Sequence, residues 1–298
     1  MREWSENVSV ETISLNLSFR LRLEIFGENP RTIEMDVKYN KIGTGYNSTR
    51  QADPYLAGRL FSLLRPQSDK LYLDIGCGTG NYTIALADKG LNFIGVEPSE
   101  KMLDEARTRN QKVGWLNGAA EQIPADDKTF DGIIAILTIH HWTDIKKAFV
   151  ELNRVLADNG RMIIFTSTPE QMKGYWLNHY FPKMLHSSIV QMPSLESIQK
   201  AAEEAAFKIS RMEEYFVKDD LKDCFLYVGK NKPECYFNEK IRHGISSFSS
   251  LANIDEVQQG LIKLRNDIDS NAFEQIRNQY KNDLGDYLFI TIDKKGRT

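Results

Sequence analysis

A glycine-rich segment after a short apolar stretch is the most informative part of the 298-residue sequence. Asp74 ends the apolar stretch, Gly76, Gly78 and Gly80 follow at alternate positions, and Cys77 lies between the first two glycines. Glycine allows backbone conformations that side chains forbid, and it lets a ligand approach the backbone closely. The pattern is typical of a loop that binds a ligand beyond the carboxyl end of a parallel strand.

The spacing of the glycines distinguishes between two classes of ligand. A dinucleotide-binding loop reads G-x-G-x-x-G, with the pyrophosphate at the start of the following helix. Here the third glycine comes one residue early, and Asn81 stands where that pattern has its last glycine. The acidic Asp74 before the loop also suits a cationic ligand better than a diphosphate. A nicotinamide-dependent oxidoreductase is therefore the less favoured enzyme class.

A second acidic residue follows the next predicted strand, residues 91–96. Glu97 stands at the carboxyl end of that strand. In dinucleotide-binding folds, an acidic residue in this position accepts hydrogen bonds from the ribose hydroxyls. The alternative is a solvated glutamate ahead of a helix that starts near Ser99. We predict that Glu97 and the glycine loop belong to one ligand site.

The D-x-G-x-G-x-G pattern resembles the first motif of class I S-adenosylmethionine-dependent methyltransferases, and two later segments extend the likeness. Residues 115–124 (WLNGAAEQIP) and 129–142 (TFDGIIAILTIHHW) look like the methyltransferase type 11 group. The resemblance covers residues 39–167. It implies S-adenosyl-L-methionine as the cofactor, bound by Asp74 and by the loop residues Gly76, Cys77, Gly78 and Gly80.

The resemblance also implies individual contacts to the ribose and adenine. Glu97 would bind the ribose and Met102 would lie against the adenine, with core packing as the alternative for Met102. The family usually has G-D-A-E-x-L-P in the first of the later segments, and its Asp binds the adenine amino group. This chain has Ala119 at that position. Backbone groups around Ala120, or Glu121, would have to serve instead.

A polar segment ahead of the loop supplies two further candidates. In similar methyltransferases the segment corresponding to residues 39–54 closes over the cofactor and substrate. Arg50 is the candidate partner of the methionine carboxylate, because a guanidinium binds a carboxylate through two hydrogen bonds. Tyr46 is a candidate for lining the methyl-transfer pocket. A surface arginine and ordinary packing are the respective alternatives.

Two adjacent histidines are candidates for a general base. His140 and His141 follow the predicted fourth strand, residues 132–137. A histidine can take a proton near neutral pH. Adjacent residues that leave a strand point in opposite directions, so we expect at most one of them to face the cofactor, and we favour His141. A packing or capping histidine is the alternative.

Alternating strand and helix patterns predict a doubly wound, mostly parallel sheet, which is an α/β fold of the Rossmann-like type. The resemblance implies seven strands. Helical blocks at residues 169–206 and 223–280 interrupt the sheet after strands five and six, in position to cover a substrate. Trp176 and Tyr236 within them are candidate pocket walls, with core packing as the alternative.

The patterns divide the chain into three regions. Residues 1–34 are predicted to be an N-terminal extension, residues 35–167 the cofactor-binding core, and residues 168–298 the rest of the sheet with a helical substrate lid. From Ile13 to Ile25, apolar and polar residues alternate strictly, which indicates one amphipathic strand. A single strand cannot bury its apolar face alone, so we expect it to pair with this sheet, another strand or another subunit.

Composition favours a cytoplasmic enzyme with a small-molecule substrate. The net charge of −3 offers no basic surface for nucleic acid. We find neither an apolar run long enough to span a membrane nor a signal peptide. Cys77, Cys224 and Cys235 have no metal-ligand spacing, so we expect reduced thiols and no metal site. A homodimer is left open.

These patterns together predict a methyltransferase. The reaction would move a methyl group from S-adenosyl-L-methionine to a small, apolar or aromatic molecule by in-line displacement. A noncatalytic binding or scaffold protein that kept the fold is the main alternative, suggested by Ala119 and the N-terminal strand.

Overall fold

The computed structural model describes residues 48–295. The predicted N-terminal strand and Tyr46 lie outside this range, so both stay predictions. Within it, seven strands form one sheet: β1 (Leu71–Ile75), β2 (Asn92–Glu97), β3 (Gly114–Asn117), β4 (Phe130–Ile136), β5 (Leu156–Thr166), β6 (Phe207–Tyr215) and β7 (Tyr287–Lys294).

The order of the strands places a ligand crevice beside β1. Across the sheet the order is β3-β2-β1-β4-β5-β7-β6. β1 to β5 pair in parallel, and β7 runs antiparallel between β5 and β6. The chain moves from β1 to β2 and β3 on one side, and then returns to β4 on the other side. Ligands of open α/β sheets bind at such a reversal. The predicted mostly parallel, seven-stranded fold is confirmed.

Four α-helices accompany the first five strands within residues 48–166: α1 (Pro54–Leu64), α2 (Asn81–Ala87), α3 (Glu100–Arg109) and α4 (Ile145–Val155). Side-chain caps begin three of them, because the first N–H groups of a helix lack partners within it. Asp53 accepts from Leu56 N–H, Ser99 from Met102 N–H, and Asp144 from the N–H groups of residues 146 and 147. The remaining helix, α2, starts directly from the glycine loop.

Both faces of the sheet are buried at strand β5. Ile163 and Phe165 of β5 belong to the apolar core that also contains Leu60 of α1. Met162 and Ile164 alternate with them, point to the other face, and are equally buried. Parallel strands covered on both faces form the rigid frame that holds the loops at their carboxyl ends.

Two insertions follow β5 and β6. The first insertion, residues 169–204, contains α5 (Pro169–Lys173), α6 (Leu177–Tyr180), α7 (Pro182–Gln191) and α8 (Leu195–Glu204). The second insertion, residues 233–279, contains a 3-10 turn (Pro233–Phe237), α9 (Glu239–His243), a π-helical turn (Ser247–Leu251), α10 (Ile254–Asp269) and α11 (Phe273–Gln279).

The predicted second helical block begins too early. Residues 223–232 form successive turns closed by hydrogen bonds such as Val228 N–H to Phe225 O, and regular helical elements begin only at Pro233. None of the helices within residues 48–295 has both the length and the apolar character needed to cross a membrane.

Aromatic side chains join the two insertions. The Trp176 ring lies edge-on to Tyr180, Tyr236 and Phe273, with centroids 5.7, 5.6 and 5.0 Å away. The indole Nε1 donates to Lys230 O at 3.0 Å. Trp176 and Tyr236 are fully buried. The structure therefore places both residues in the core of the insertions.

Candidate functional site

The glycine loop leaves β1 and is held against the end of β2. Gly76, Gly78 and Gly80 have φ angles of 70°, 56° and 77°, the left-handed region that favours glycine. The N–H groups of Gly76 and Cys77 donate to Val96 O at 2.7 and 3.1 Å. The loop therefore has a defined backbone shape, as the sequence pattern predicts.

The three loop glycines differ in what surrounds them. A Cβ atom at Gly76 would lie 2.0 Å from Thr138 Oγ1, and one at Gly80 would lie 2.2 Å from the Trp115 ring. At Gly78 a Cβ atom would meet nothing within 4 Å. Gly76 and Gly80 are thus required by packing within the protein, while Gly78 faces open space that a ligand can occupy.

Glu97 accepts a hydrogen bond from the middle glycine of this loop. Gly78 N–H donates to Glu97 Oε2 at 3.1 Å, and Ser99 N–H donates to Oε1 at 3.0 Å. The side chain is buried, and burial raises its pKa while the two backbone hydrogen bonds oppose that shift. Each carboxylate oxygen accepts one backbone N–H and retains a lone pair. Glu97 therefore has the capacity to accept hydrogen bonds from a diol as well.

Asp74 and Cys77 lie beneath the loop. Thr83 Oγ1 donates to Asp74 Oδ2 at 2.6 Å, which links β1 to the first turns of α2. Burial raises the pKa of Asp74 to about 7, although the Thr83 hydrogen bond opposes the shift. Burial also raises the pKa of the Cys77 thiol well above its ordinary value. Cys77 is accordingly a neutral thiol within the packing of the loop.

The carboxylate of Glu121 is engaged elsewhere in the structure. Its Oε1 atom accepts from Thr143 N–H at 2.5 Å, from Thr143 Oγ1 at 3.0 Å and from Asp144 N–H at 3.0 Å. It therefore stabilises the turn that leads into α4.

Backbone groups near Ala120 are the remaining candidates for adenine recognition. The N–H group of Ala119 donates to Gln122 O at 3.3 Å, and Gln122 N–H donates to Ala119 O at 3.0 Å. The polar backbone groups of Ala119 are thus used within this turn. Ala120 and Met102 are both buried, 4% and 2% exposed.

Arg50 lies in a network that the sequence did not indicate. Its guanidinium forms an ion pair with Asp223, and its Nη1 lies 3.5 Å from Gly244 O. Tyr82 OH donates to Asp223 Oδ2 at 3.2 Å, and the Asn81 side-chain amide donates to Arg50 O at 3.0 Å. Arg50 thereby connects the first turn of α2 with the residues that follow β6. Asp223 has no motif around it that could have singled it out.

The two histidines share one short turn. The chain leaves β4 through Leu137, whose φ is 51°, and Ile139–His141 forms a 3-10 turn. The His140 and His141 rings therefore lie 3.9 Å apart at 48°. The expectation that the two side chains point in opposite directions assumed an extended backbone. The backbone here forms a 3-10 turn instead.

A cavity lies beyond the carboxyl ends of β4 and β5. The space that the centres of water molecules can reach in this cavity is about 80 Å³, which is enough for several waters or a small organic group. His140 lines it, whereas His141, Trp176 and Tyr236 do not. The lining comes from the strand ends, from both insertions, and from residues just before and just after the second insertion. The lining residues are Leu137, His140, Ser167, Met172, Ser188, Gln191, Met192, Phe225, Leu226, Ile245, Ser246, Ser247, Leu251 and Tyr287.

Thr138 links the glycine loop to the cavity through its neighbours in the chain. Gly76 packs against the Thr138 side chain, and the neighbouring Leu137 and His140 line the cavity. Apart from His140, most lining residues carry no sequence signal, because single serine, methionine and leucine residues are common in any helix.

Comparisons with known proteins identify the family of this chain. A family model described as a methyltransferase domain matches residues 73–164, which contain the loop, Glu97 and both histidines. A solved structure assigned as a methyltransferase from an antibiotic biosynthesis pathway of Anabaena variabilis is 32% identical, with a TM-score of 0.72. The match covers 82% of this chain and 98% of that chain. This chain belongs to the class I S-adenosylmethionine-dependent methyltransferases.

Curated relatives of this methyltransferase share a shorter part of the chain. An uncharacterised methyltransferase of Mycobacterium tuberculosis is 31% identical over 134 residues, 45% of this chain and 55% of the relative. Demethylmenaquinone methyltransferase of Clavibacter sepedonicus is 30% identical over 136 residues, 43% of this chain and 54% of the relative. The chain thus spans about half the length of these curated relatives.

Proposed function

We propose that this methyltransferase moves a methyl group from S-adenosyl-L-methionine to a small, apolar or aromatic molecule held in the cavity. The observation that carries the proposal is the position of Thr138, which packs against Gly76 of the loop and lies in the chain between Leu137 and His140 of the cavity lining. A cofactor on the loop and an acceptor in the cavity would then be neighbours. Proximity and orientation of this kind account for a large part of enzymatic rate enhancement.

The loop fits the cofactor. Gly78 faces open space, and the buried Glu97 carboxylate is held beside it by two backbone N–H groups. Glu97 is the proposed ribose ligand, Arg50 the proposed partner of the methionine carboxylate, and the Ala120 backbone with Met102 the proposed adenine contact. When bound, S-adenosyl-L-methionine supplies an electrophilic methyl group on a sulfonium.

The chain would contribute orientation, exclusion of water and a base. The two insertions cover the cavity, and shielding a reaction from water strengthens the electrostatic interactions inside. His140 is the proposed acceptor of a proton where the methyl acceptor must lose one, because it lines the cavity. His141 adjoins it, and Tyr46 remains a proposed pocket residue outside the described range.

Binding of S-adenosylhomocysteine tests the cofactor site. A ligand at a hundred times its Kd stabilises the folded state by about 2.7 kcal/mol, so the melting temperature should rise. Glu97→Gln removes the charged acceptor and should weaken binding about tenfold to a hundredfold. Calorimetric titration measures the affinity. Glu196→Gln, the same change at an exposed position of α8, should leave it unaltered, and an unmoved melting curve in the wild-type protein would refute the proposal.

One observation favours a second candidate, a noncatalytic protein that binds the cofactor. Ala119 stands where related sequences carry the adenine-binding Asp, and its backbone groups are used within a turn. Incubation with methyl-labelled S-adenosyl-L-methionine and a metabolite extract separates the two candidates. Transfer of label to a small molecule supports the enzyme, and tight binding without transfer supports the noncatalytic protein.

A further inference from the structure

The cavity has a polar corner formed by two serines, one from each insertion. Ser188 on α7 donates to Met184 O at 2.9 Å, and its Oγ lies 2.8 Å from Ser247 Oγ. Ser188 and Ser247 are buried, 6% and 7% exposed, and both line the cavity. Because the Met184 carbonyl can only accept, the one hydrogen of Ser188 is directed to it, and the Ser247 hydroxyl supplies the hydrogen between the two serines. A hydroxyl oxygen also has two lone pairs, so Ser247 Oγ can accept a hydrogen bond from a ligand hydroxyl.

An unusual backbone turn presents this serine. Ser247 begins the π-helical turn Ser247–Leu251, in which Ala252 N–H donates to Ser247 O at 3.0 Å. π-Helical turns are rare, and they are frequently found at functional sites. This turn and the residue before it bring Ser246, Ser247 and Leu251 to the cavity. The turn is an independent indication that the Ser247 position is functional.

The remaining walls contain apolar groups and a few polar side chains. Within the described part of the chain, the lining includes no Asp, Glu, Lys or Arg, and His140 is the one side chain there that can take a positive charge near neutral pH. A cationic ligand would lose its hydration there without meeting an opposite charge, which is costly. Sulfur and aromatic groups fit an apolar ring, and they come from Met172, Met192, Phe225 and Tyr287.

We infer that Ser247, oriented by Ser188, determines acceptor specificity by hydrogen-bonding a neutral hydroxyl group on an apolar ring. This inference rests on the proposed function. It narrows the acceptor from apolar or aromatic molecules in general to uncharged ones that carry a hydroxyl group. The cavity supplies both requirements: the serine pair offers a hydrogen-bond partner, and within residues 48–295 the lining has no carboxylate, ammonium or guanidinium group.

Fluorinated ring compounds test the inference by ¹⁹F NMR titration, with and without saturating S-adenosylhomocysteine. The two probes 4-fluorophenol and 4-fluorotoluene differ by a hydroxyl against a methyl group. Ser247→Ala should reduce the preference for 4-fluorophenol roughly fivefold, because a neutral hydrogen bond contributes about that factor. Ser250→Ala, an exposed serine of the same turn that does not line the cavity, is the matched control and should leave the preference unchanged.

A charged analogue tests the second half of the inference. We expect 4-fluorobenzylammonium to bind at least about tenfold more weakly than 4-fluorophenol, because a cation in this cavity lacks a counter-charge. Equal probe preferences in wild type and Ser247→Ala, or tight binding of the ammonium ion, would overturn the inference. Cofactor binding is read separately on the same samples. Loss of it counts against the proposed function, whereas the probe preferences alone decide the role of Ser247.

Discussion

The glycine loop and the two insertions are built from different kinds of structure. The shape of the loop depends on its backbone, namely on three glycines of positive φ and on N–H groups that donate to Val96 O and to Glu97. The insertions are made by side chains, with aromatic rings packed around Trp176 and a cavity lined by dispersed residues. A site made of backbone requires particular residues, mainly glycine, whereas an apolar wall accepts many residue types.

The family model covers only one side of this division. It matches residues 73–164 and stops before the first insertion, which begins at Pro169, whereas the match to the Anabaena variabilis structure covers 82% of this chain. Most of the cavity-lining residues lie beyond residue 164. Four substitutions can break or sharpen the comparison.

Replacement of Trp176 should have the largest effect. Trp176→Ala removes a fully buried ring from the core of the insertions, and such changes cost about 3–5 kcal/mol of unfolding free energy. If the two regions act separately, affinity for S-adenosylhomocysteine should stay within about twofold where the variant is folded. Urea unfolding and calorimetric titration measure the two quantities. Val190→Ala, at an exposed position of α7, is the control, and parallel loss of stability and cofactor affinity would contradict the division.

Two loop substitutions should have different effects, one mainly on stability and the other mainly on cofactor affinity. Gly76→Ala forces a Cβ atom towards Thr138 and should lower the unfolding free energy by about 2–4 kcal/mol. Gly78→Ala meets no protein atom, so its cost should be about 1–2 kcal/mol from the positive φ alone. Its methyl group would occupy the proposed ligand space, and cofactor affinity should fall. Retained affinity in the folded Gly78→Ala protein would show that the cofactor does not approach this glycine.

The last effect depends on pH and comes from the buried carboxyl of the loop region. The pKa of Asp74 is raised to about 7 from an ordinary value of 3.8, so between these values the folded state holds a proton that the unfolded state releases. Its contribution to stability is therefore complete below about pH 4 and is lost as the pH rises through 7. Asp74→Asn should reduce the fall in unfolding free energy over this range by up to about 4 kcal/mol.

A pH series of urea unfolding curves measures this change. Some fall should persist in the variant, because burial also raises the pKa of Glu97. Identical pH profiles for the wild type and Asp74→Asn would mean that Asp74 titrates near its ordinary value, and that the loop region holds no buried proton.

Local patterns predicted the frame of the cofactor half with small errors. The strand predicted at residues 91–96 is Asn92–Glu97, and the strand predicted at residues 132–137 is Phe130–Ile136. Strands near the centre of a sheet are marked by apolar runs, and their ends by glycine and acidic residues, so neighbours in sequence carry this information. The prediction that the His140 and His141 side chains point in opposite directions was wrong, because the sequence gives no sign that Leu137 adopts a positive φ.

The sequence by itself determined the fold family, the position of the glycine loop and the acidic residue at the end of β2. Each of these depends on residues close together in the chain. Tertiary structure alone decided that Arg50 pairs with Asp223, that His140 lines the cavity, and that Ser188 meets Ser247. These contacts join residues far apart in the chain. They depend on how two insertions pack over the sheet, which local propensities do not specify.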